Sequence, residues 1–229
     1  MSDTVKSQNI SSAAEFDARL KTIDETRWLA SRYAAPEARR RLVAIYSLNV
    51  ELTRALQVSE PMLGKIRIQW WREALEEVTA GRKPRRHDLC MEIDDLFGGE
   101  RAVLGGVSGL LDAYDDILDD HMAGEAASHA HAERHASAAS ALGRLAGLAL
   151  RSDADATHLD RIGGACAHGV QALAEEAASG ANGALEELPD WSWPAVAHLA
   201  AEISAAKTGR DGPLLRRWRV FRAVLTQKI

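Results

Sequence analysis

The densest acidic run in the chain is Asp115-Asp116-Ile117-Leu118-Asp119-Asp120. On a helix, Asp115 and Asp119 share one face, with Asp116 beside them. Hard oxygen ligands in that spacing suit Mg2+, with a diphosphate completing the metal's shell. Such a site needs a second acidic helix opposite, and Asp94-Asp95 or Asp153/Asp155 supply it poorly. The plainer reading is a solvated acidic helix end or loop. A second grouping is His129, His131 and His135, with His121 nearby. Residues 131 and 135 reach one metal ion if they lie on a helix. No cysteine or carboxylate completes that set, so it reads as polar surface and no metal is assigned to it. The basic turn Arg82-Lys83-Pro84-Arg85-Arg86-His87 suits a phosphate or an anionic membrane surface, or simply a solvated loop. Trp70 and Trp71 are adjacent, so on a helix one is buried and the other borders a cavity or an interface. No Ser-His-Asp set, P-loop or GxGxxG is present.

The elements that carry these groups read as helices throughout. Val and Ile recur at helical spacing, and long stretches are Ala-rich. The spacing predicts a first helix from Ala13 to Tyr33, with Asp24 and Arg27 three apart near its middle. Pro36 opens the second, whose inner face runs through Leu42, Ile45, Tyr46, Asn49, Leu52, Thr53 and Leu56. Pro61 opens the third, with Leu63, Ile66, Trp70, Leu75 and Val78 inward. Further helices are expected from Asp88 to Phe97, from Val103 to Leu118, up to Leu150, and from Leu159 to Ser179. After a loop over 180–194 with two Trp, helices are expected at Pro194–Thr208 and Pro213–Thr226. Gly163-Gly164 inside a helical pattern costs about 1 kcal/mol per glycine relative to Ala, which points to close helix packing.

The fold class is therefore all-α. We expect one helical bundle around a central cavity over residues 13–229, preceded by a disordered lead-in over 1–12. The 229 residues suffice for a substantial core, and 46% are hydrophobic. A net charge of −5 argues against a nucleic-acid partner. The Arg- and Ala-rich usage reads as a GC-rich bacterial coding bias. Cys90 and Cys166 read as buried thiols of a reducing, cytoplasmic compartment. No apolar run is long enough for a membrane span, and the N-terminus lacks the apolar core of a signal peptide. Peripheral membrane contact stays open.

Several segments together resemble the squalene/phytoene synthase family. They are Asp24–Tyr33, APEARRRLVAIYSLNVEL (35–52), SEPMLGKIRIQWWREAL (59–75), LLDAYDDILDDHM (110–122), DRIGGACAHG from Asp160, PAVAHLAAE, and LLRRWRVFRAVL. The resemblance implies an all-helical, isoprenoid-synthase-like fold. Its enzymes join two prenyl diphosphates head to head, with Mg2+ held by two Asp-rich motifs across a cavity. The first motif follows the Tyr of a YAFCR signature. Here Tyr46 matches that Tyr, Val50 stands at the Arg, and Thr53, Arg54 and Gln57 stand at the three Asp positions. The second motif fits best on Gln171, Glu175 and Ser179, which again lacks the acids.

The wording NVEL and IRIQWW looks closer to a non-catalytic branch, one that includes the mitochondrial factor needed to assemble respiratory complex I. The resemblance thus implies a pseudoenzyme without catalytic residues or cofactor. Its cavity would be lined by Tyr46, Asn49, Thr53, Gln57, Arg67, Trp71 and Gln171, taking an isoprenoid or lipid-like ligand with a neutral polar head group, or serving a protein partner. The alternative is an active prenyltransferase using Mg2+ on Asp115, Asp116 and Asp119. A third reading is an interaction module docking through Trp71 and the Trp191/Trp193 loop.

Overall fold

Proline at the first helical turn, where its missing N–H is not needed, starts α3 (Pro36–Leu56) and α4 (Pro61–Thr79) as the spacing predicts. The computed structural model describes residues 2–126, 128–174 and 188–228. It is 81% helical, with eleven α-helices and no strand among the described residues. The remaining helices are α1 (Ser2–Ile23), α2 (Glu25–Ser31), α5 (Asp88–Phe97), α6 (Arg101–Ala123), α7 (His129–Leu150) and α8 (Ala156–Ala174). After a 3-10 turn (Asp190–Ser192) come α9 (Trp193–Val196), α10 (His198–Thr208) and α11 (Pro213–Thr226).

α3 is the hub. Leu42, Ile45, Leu48 and Leu52 are fully buried on it, and it packs against α1, α2, α4, α5, α6 and α7. Paired guanidinium–carboxylate bonds fasten its N-terminal half. Arg40 meets Glu92 of α5 through two bonds of 2.7 Å, and Arg41 meets Glu100 through two of 2.6 Å. Arg41 also donates to the carbonyl of Ala149 on α7 at 2.9 Å.

Three expectations change. The single first helix breaks at Asp24, because its side chain accepts the Arg27 N–H and caps a new helix. On α4 the inward face is Gly64, Ile68, Trp71, Leu75 and Val78, while Leu63, Ile66 and Trp70 are exposed. Gly64 decides that rotation: a Cβ there would lie 2.5 Å from the Ala55 carbonyl and 2.7 Å from Leu118. Lastly, α6 runs through the whole acidic stretch to Ala123, so Asp115–Asp120 is helix and not loop.

The glycines of α7 and α8 divide by position. At Gly163 a Cβ would meet the Ser140 carbonyl at 2.9 Å and the Arg144 stem at 2.8 Å, whereas nothing lies within 4 Å at Gly164. Close packing thus accounts for Gly163 and not for Gly164. Gly163→Ala should destabilise by about 1–3 kcal/mol through overpacking. Gly164→Ala should stabilise by up to about 1 kcal/mol through helix propensity. Urea titration of the two variants checks both signs.

Candidate functional site

The middle of α3 faces a hydrogen-bonded cluster. The Tyr114 hydroxyl of α6 donates to Asn49 Oδ1 at 2.8 Å, and Thr53 Oγ1 lies 3.0 Å from that hydroxyl. Thr53 also donates to the Asn49 carbonyl at 2.9 Å. Asn49 Oδ1 and Thr53 Oγ1 are thereby both engaged with Tyr114. Deeper in, the Tyr46 hydroxyl donates to the Ala195 carbonyl at 3.4 Å. The space beside Tyr46 is about 10 Å3, bordered by Arg27, Cys166, Val170 and His198. Burial pushes the Cys166 thiol up to about 12 and the Cys90 thiol up to about 11, so both expected thiols are buried and unreactive at neutral pH.

Next to Tyr46 lies a polar knot built on Asp24 and Arg27, whose spacing in the sequence carries no sign of a role. Arg27 Nη1 bonds Asp24 Oδ2 at 2.8 Å and lies 4.0 Å from Glu202 of α10. Thr26 Oγ1 donates to Glu202 Oε1 at 2.8 Å. Burial alone would raise the Asp24 carboxyl, but the Arg27 guanidinium outweighs it and holds it below its ordinary value. Burial, helped by Arg27, pushes His198 down to about 4.

A roomier space than the one beside Tyr46 lies on the outer side of α3. A groove of about 430 Å3 is lined by Glu51, Arg54, Arg67, Trp70, Trp71 and His87. Trp71 is buried and Trp70 is 36% exposed, as adjacent helical positions require. Their rings meet edge to face at 5.0 Å, with the His87 ring 5.5 Å from Trp70 and 5.0 Å from Trp71. Glu51 Oε1 is held by Arg19 at 2.6 Å and by Arg54 at 3.2 Å. Arg67 bonds the Arg54 carbonyl at 3.4 Å, and no described carboxylate pairs with it. From the basic turn, Arg85 folds back onto Glu73 and Glu77, its guanidinium 5.3 Å from the Trp70 ring centre.

The seven expected cavity residues therefore do not converge. Arg67 and Trp71 share the outer groove, Asn49 and Thr53 share the Tyr114 cluster, and Tyr46 borders the small interior space. Gln57 is exposed where α3 ends. On α8, Val170 borders the space beside Tyr46 and Gln171 is half-buried elsewhere. Trp71 and Trp193 are buried, which removes the docking patch expected from Trp71 with the Trp191/Trp193 loop.

The acidic run is occupied by cations. Lys65 of α4 lies 3.0 Å from Asp115 and 2.7 Å from Asp119, and Arg134 lies 3.8 Å from Asp116. The side chains of Asp116 and Asp119 are 60% and 59% exposed. Asp120 is buried between Arg134 Nε at 2.9 Å and His131 Nδ1 at 3.2 Å. The Nε2 atoms of His131 and His135 approach to 3.1 Å. Among the described residues, no three His, Cys, Asp or Glu side chains are arranged to hold a metal ion.

The family model for squalene/phytoene synthases matches residues 20–171, well over half of the chain. The chain belongs to the squalene/phytoene synthase family. The match spans α2 to α7 whole, and with them the Tyr46 to Gln57 stretch and the groove. Searches of curated proteins and of solved structures returned no match. The resemblance implies Mg2+ held on acidic residues, and the α3 positions Thr53, Arg54 and Gln57 do not fit that ion. The three positions along and just after α3 carry a hydroxyl, a cation and an amide, and the carboxylate of Glu51 beside them is held by two arginines. Of the second motif, Glu175 and Ser179 lie outside the described residues.

Proposed function

We propose that this chain is a non-catalytic member of the squalene/phytoene synthase family that holds a lipid-like ligand on the family's scaffold. The observation that carries the reading is Arg54: a guanidinium stands on α3 where the family pattern has a metal-binding carboxylate. Arg54 and Arg67 sit at a groove whose volume suits a small ligand. An isoprenoid body would lie against Trp70 and Trp71, with an anionic head group at the two arginines. The neutral head group expected from the sequence fits less well, since Asn49 Oδ1 and Thr53 Oγ1 already bond Tyr114 and neither residue lines this groove.

A scaffold of this kind can equally serve a protein partner. The likeness of NVEL and IRIQWW to the complex I assembly branch belongs to this reading, as does a cytoplasmic location with peripheral membrane contact. No described helix is long and apolar enough to cross a membrane. Prenyl transfer through Asp115, Asp116 and Asp119 finds less support, because Lys65 and Arg134 already occupy their outward face.

The test pairs turnover with binding. Incubation with farnesyl or geranylgeranyl diphosphate and Mg2+ should release no pyrophosphate. Binding of the same compounds, read by Trp fluorescence, should persist in EDTA. It should weaken about tenfold in Arg67→Gln, the effect of losing one charge-assisted hydrogen bond. Mg2+-dependent pyrophosphate release that Asp116→Ala abolishes would restore the enzyme reading.

A further inference from the structure

The face of α11 turned away from the bundle carries large apolar side chains that no described residue covers. Leu214 is 81% exposed, Trp218 57%, Phe221 41% and Leu225 69%. At about 100° per residue, positions 214, 218, 221 and 225 fall within an arc of about 60° and run about 16 Å along the axis. Val220 and Ala223, the buried positions of the helix, lie on the opposite side. The Trp218 and Phe221 rings touch at 5.9 Å between centres, and the exposed Tyr33 ring, 6.5 Å from Phe221, widens the patch. Exposed in this way, the stripe contributes nothing to the core.

The charges beside the stripe say what it faces. α11 holds four arginines and no acid, in a chain whose net charge is −5. Arg216 turns inward to Glu25 and Asp211. Arg217 and Arg222 flank the stripe on its two sides and are exposed. Arg217 reaches Glu25 only at 4.0 Å, and no described carboxylate pairs with Arg222. A narrow apolar ridge of Leu, Trp and Phe with an exposed arginine on either side matches a helix lying in the plane of a bilayer surface. The ridge enters the acyl boundary and the cations meet lipid phosphates.

We propose that α11 docks the protein onto an anionic membrane surface, lying parallel to it. This assigns membrane contact to α11 and not to the basic turn at residues 82–87, where Arg85 is engaged by Glu73 and Glu77. The assignment stands whether or not the α3 groove takes a ligand.

Vesicle flotation tests it, using phosphatidylcholine with and without phosphatidylglycerol. The protein should float with the anionic vesicles, remain with the aqueous fraction beside the neutral ones, and detach as salt rises. Trp218→Ser/Phe221→Ser should abolish flotation while its circular dichroism spectrum and melting stay unchanged, because both side chains are exposed. Arg217→Gln/Arg222→Gln should lower partitioning about thirtyfold, a factor of about five per cation. Failure to float on anionic vesicles, equal flotation on neutral ones, or unchanged flotation of the Trp218/Phe221 variant would overturn the proposal. So would a concentration-dependent dimer that the same variant dissolves, which would give the stripe to a second copy of the chain.

Discussion

Arg27→Met lowers the unfolding free energy by about 3 kcal/mol. The guanidinium stands between Asp24 and Glu202, with 19% of its side chain exposed against 14% and 25% for its partners. Breaking a fully buried pair costs about 3–5 kcal/mol, because the surviving charge keeps its desolvation penalty without compensation. The residual contact with water places Arg27 at the lower end of that range. Methionine keeps the apolar stem, so the loss reports the charge and not a cavity. The double variant Arg27→Met/Asp24→Asn should recover part of it by removing one stranded carboxylate. A guanidinium chloride titration decides the matter: a midpoint unchanged from the parent protein would show that the knot contributes nothing.

Acid should weaken the fold in two stages. His198 is held near 4 in the folded chain and returns to an ordinary value near 6.5 when unfolded. Between those values the unfolded chain binds the extra proton, so stability rises with pH across that window and is lost as pH falls through it. A displacement of this size corresponds to about 3 kcal/mol at most. Half-buried His135, lowered by burial and by His131, acts in the same direction. The second stage lies below pH 4, where protonating Asp24, held low by Arg27 against its burial, removes the knot's anion. Unfolding free energies at pH 7, 5.5 and 4 should therefore decline steadily, and His198→Gln should flatten most of that decline. A parent protein equally stable at pH 7 and 4 would contradict the buried neutral imidazole.

What the sequence disclosed and what it withheld follow one physical line. Periodicity and proline placement are local properties, and they located α3, α4, α5 and α11 closely. The rotation of α4 is not local. Leu63, Ile66 and Trp70 look as apolar as Ile68 and Trp71, and only the contact of Gly64 with Ala55 and Leu118 turns the first three outward. The break at Asp24 was signalled by Asp three residues before Arg27, but a strong helical pattern on both sides masked the cap. The chemistry of the α3 positions was legible, since residue identity alone removes the carboxylates. Their divergence was not legible: Thr53 turns to Tyr114 and Gln57 to the surface, and no spacing rule anticipates a partner 61 residues away.

The chain of ion pairs from Arg19 through Glu51 to Arg54 also bears on how this scaffold can change. An acid placed at residue 54 would meet Glu51 one turn away as a like charge and leave that carboxylate to Arg19 alone. The outer edge of α3 is thus matched to a cation, and a change of sign at that one position costs stability at its neighbours as well as its own contact.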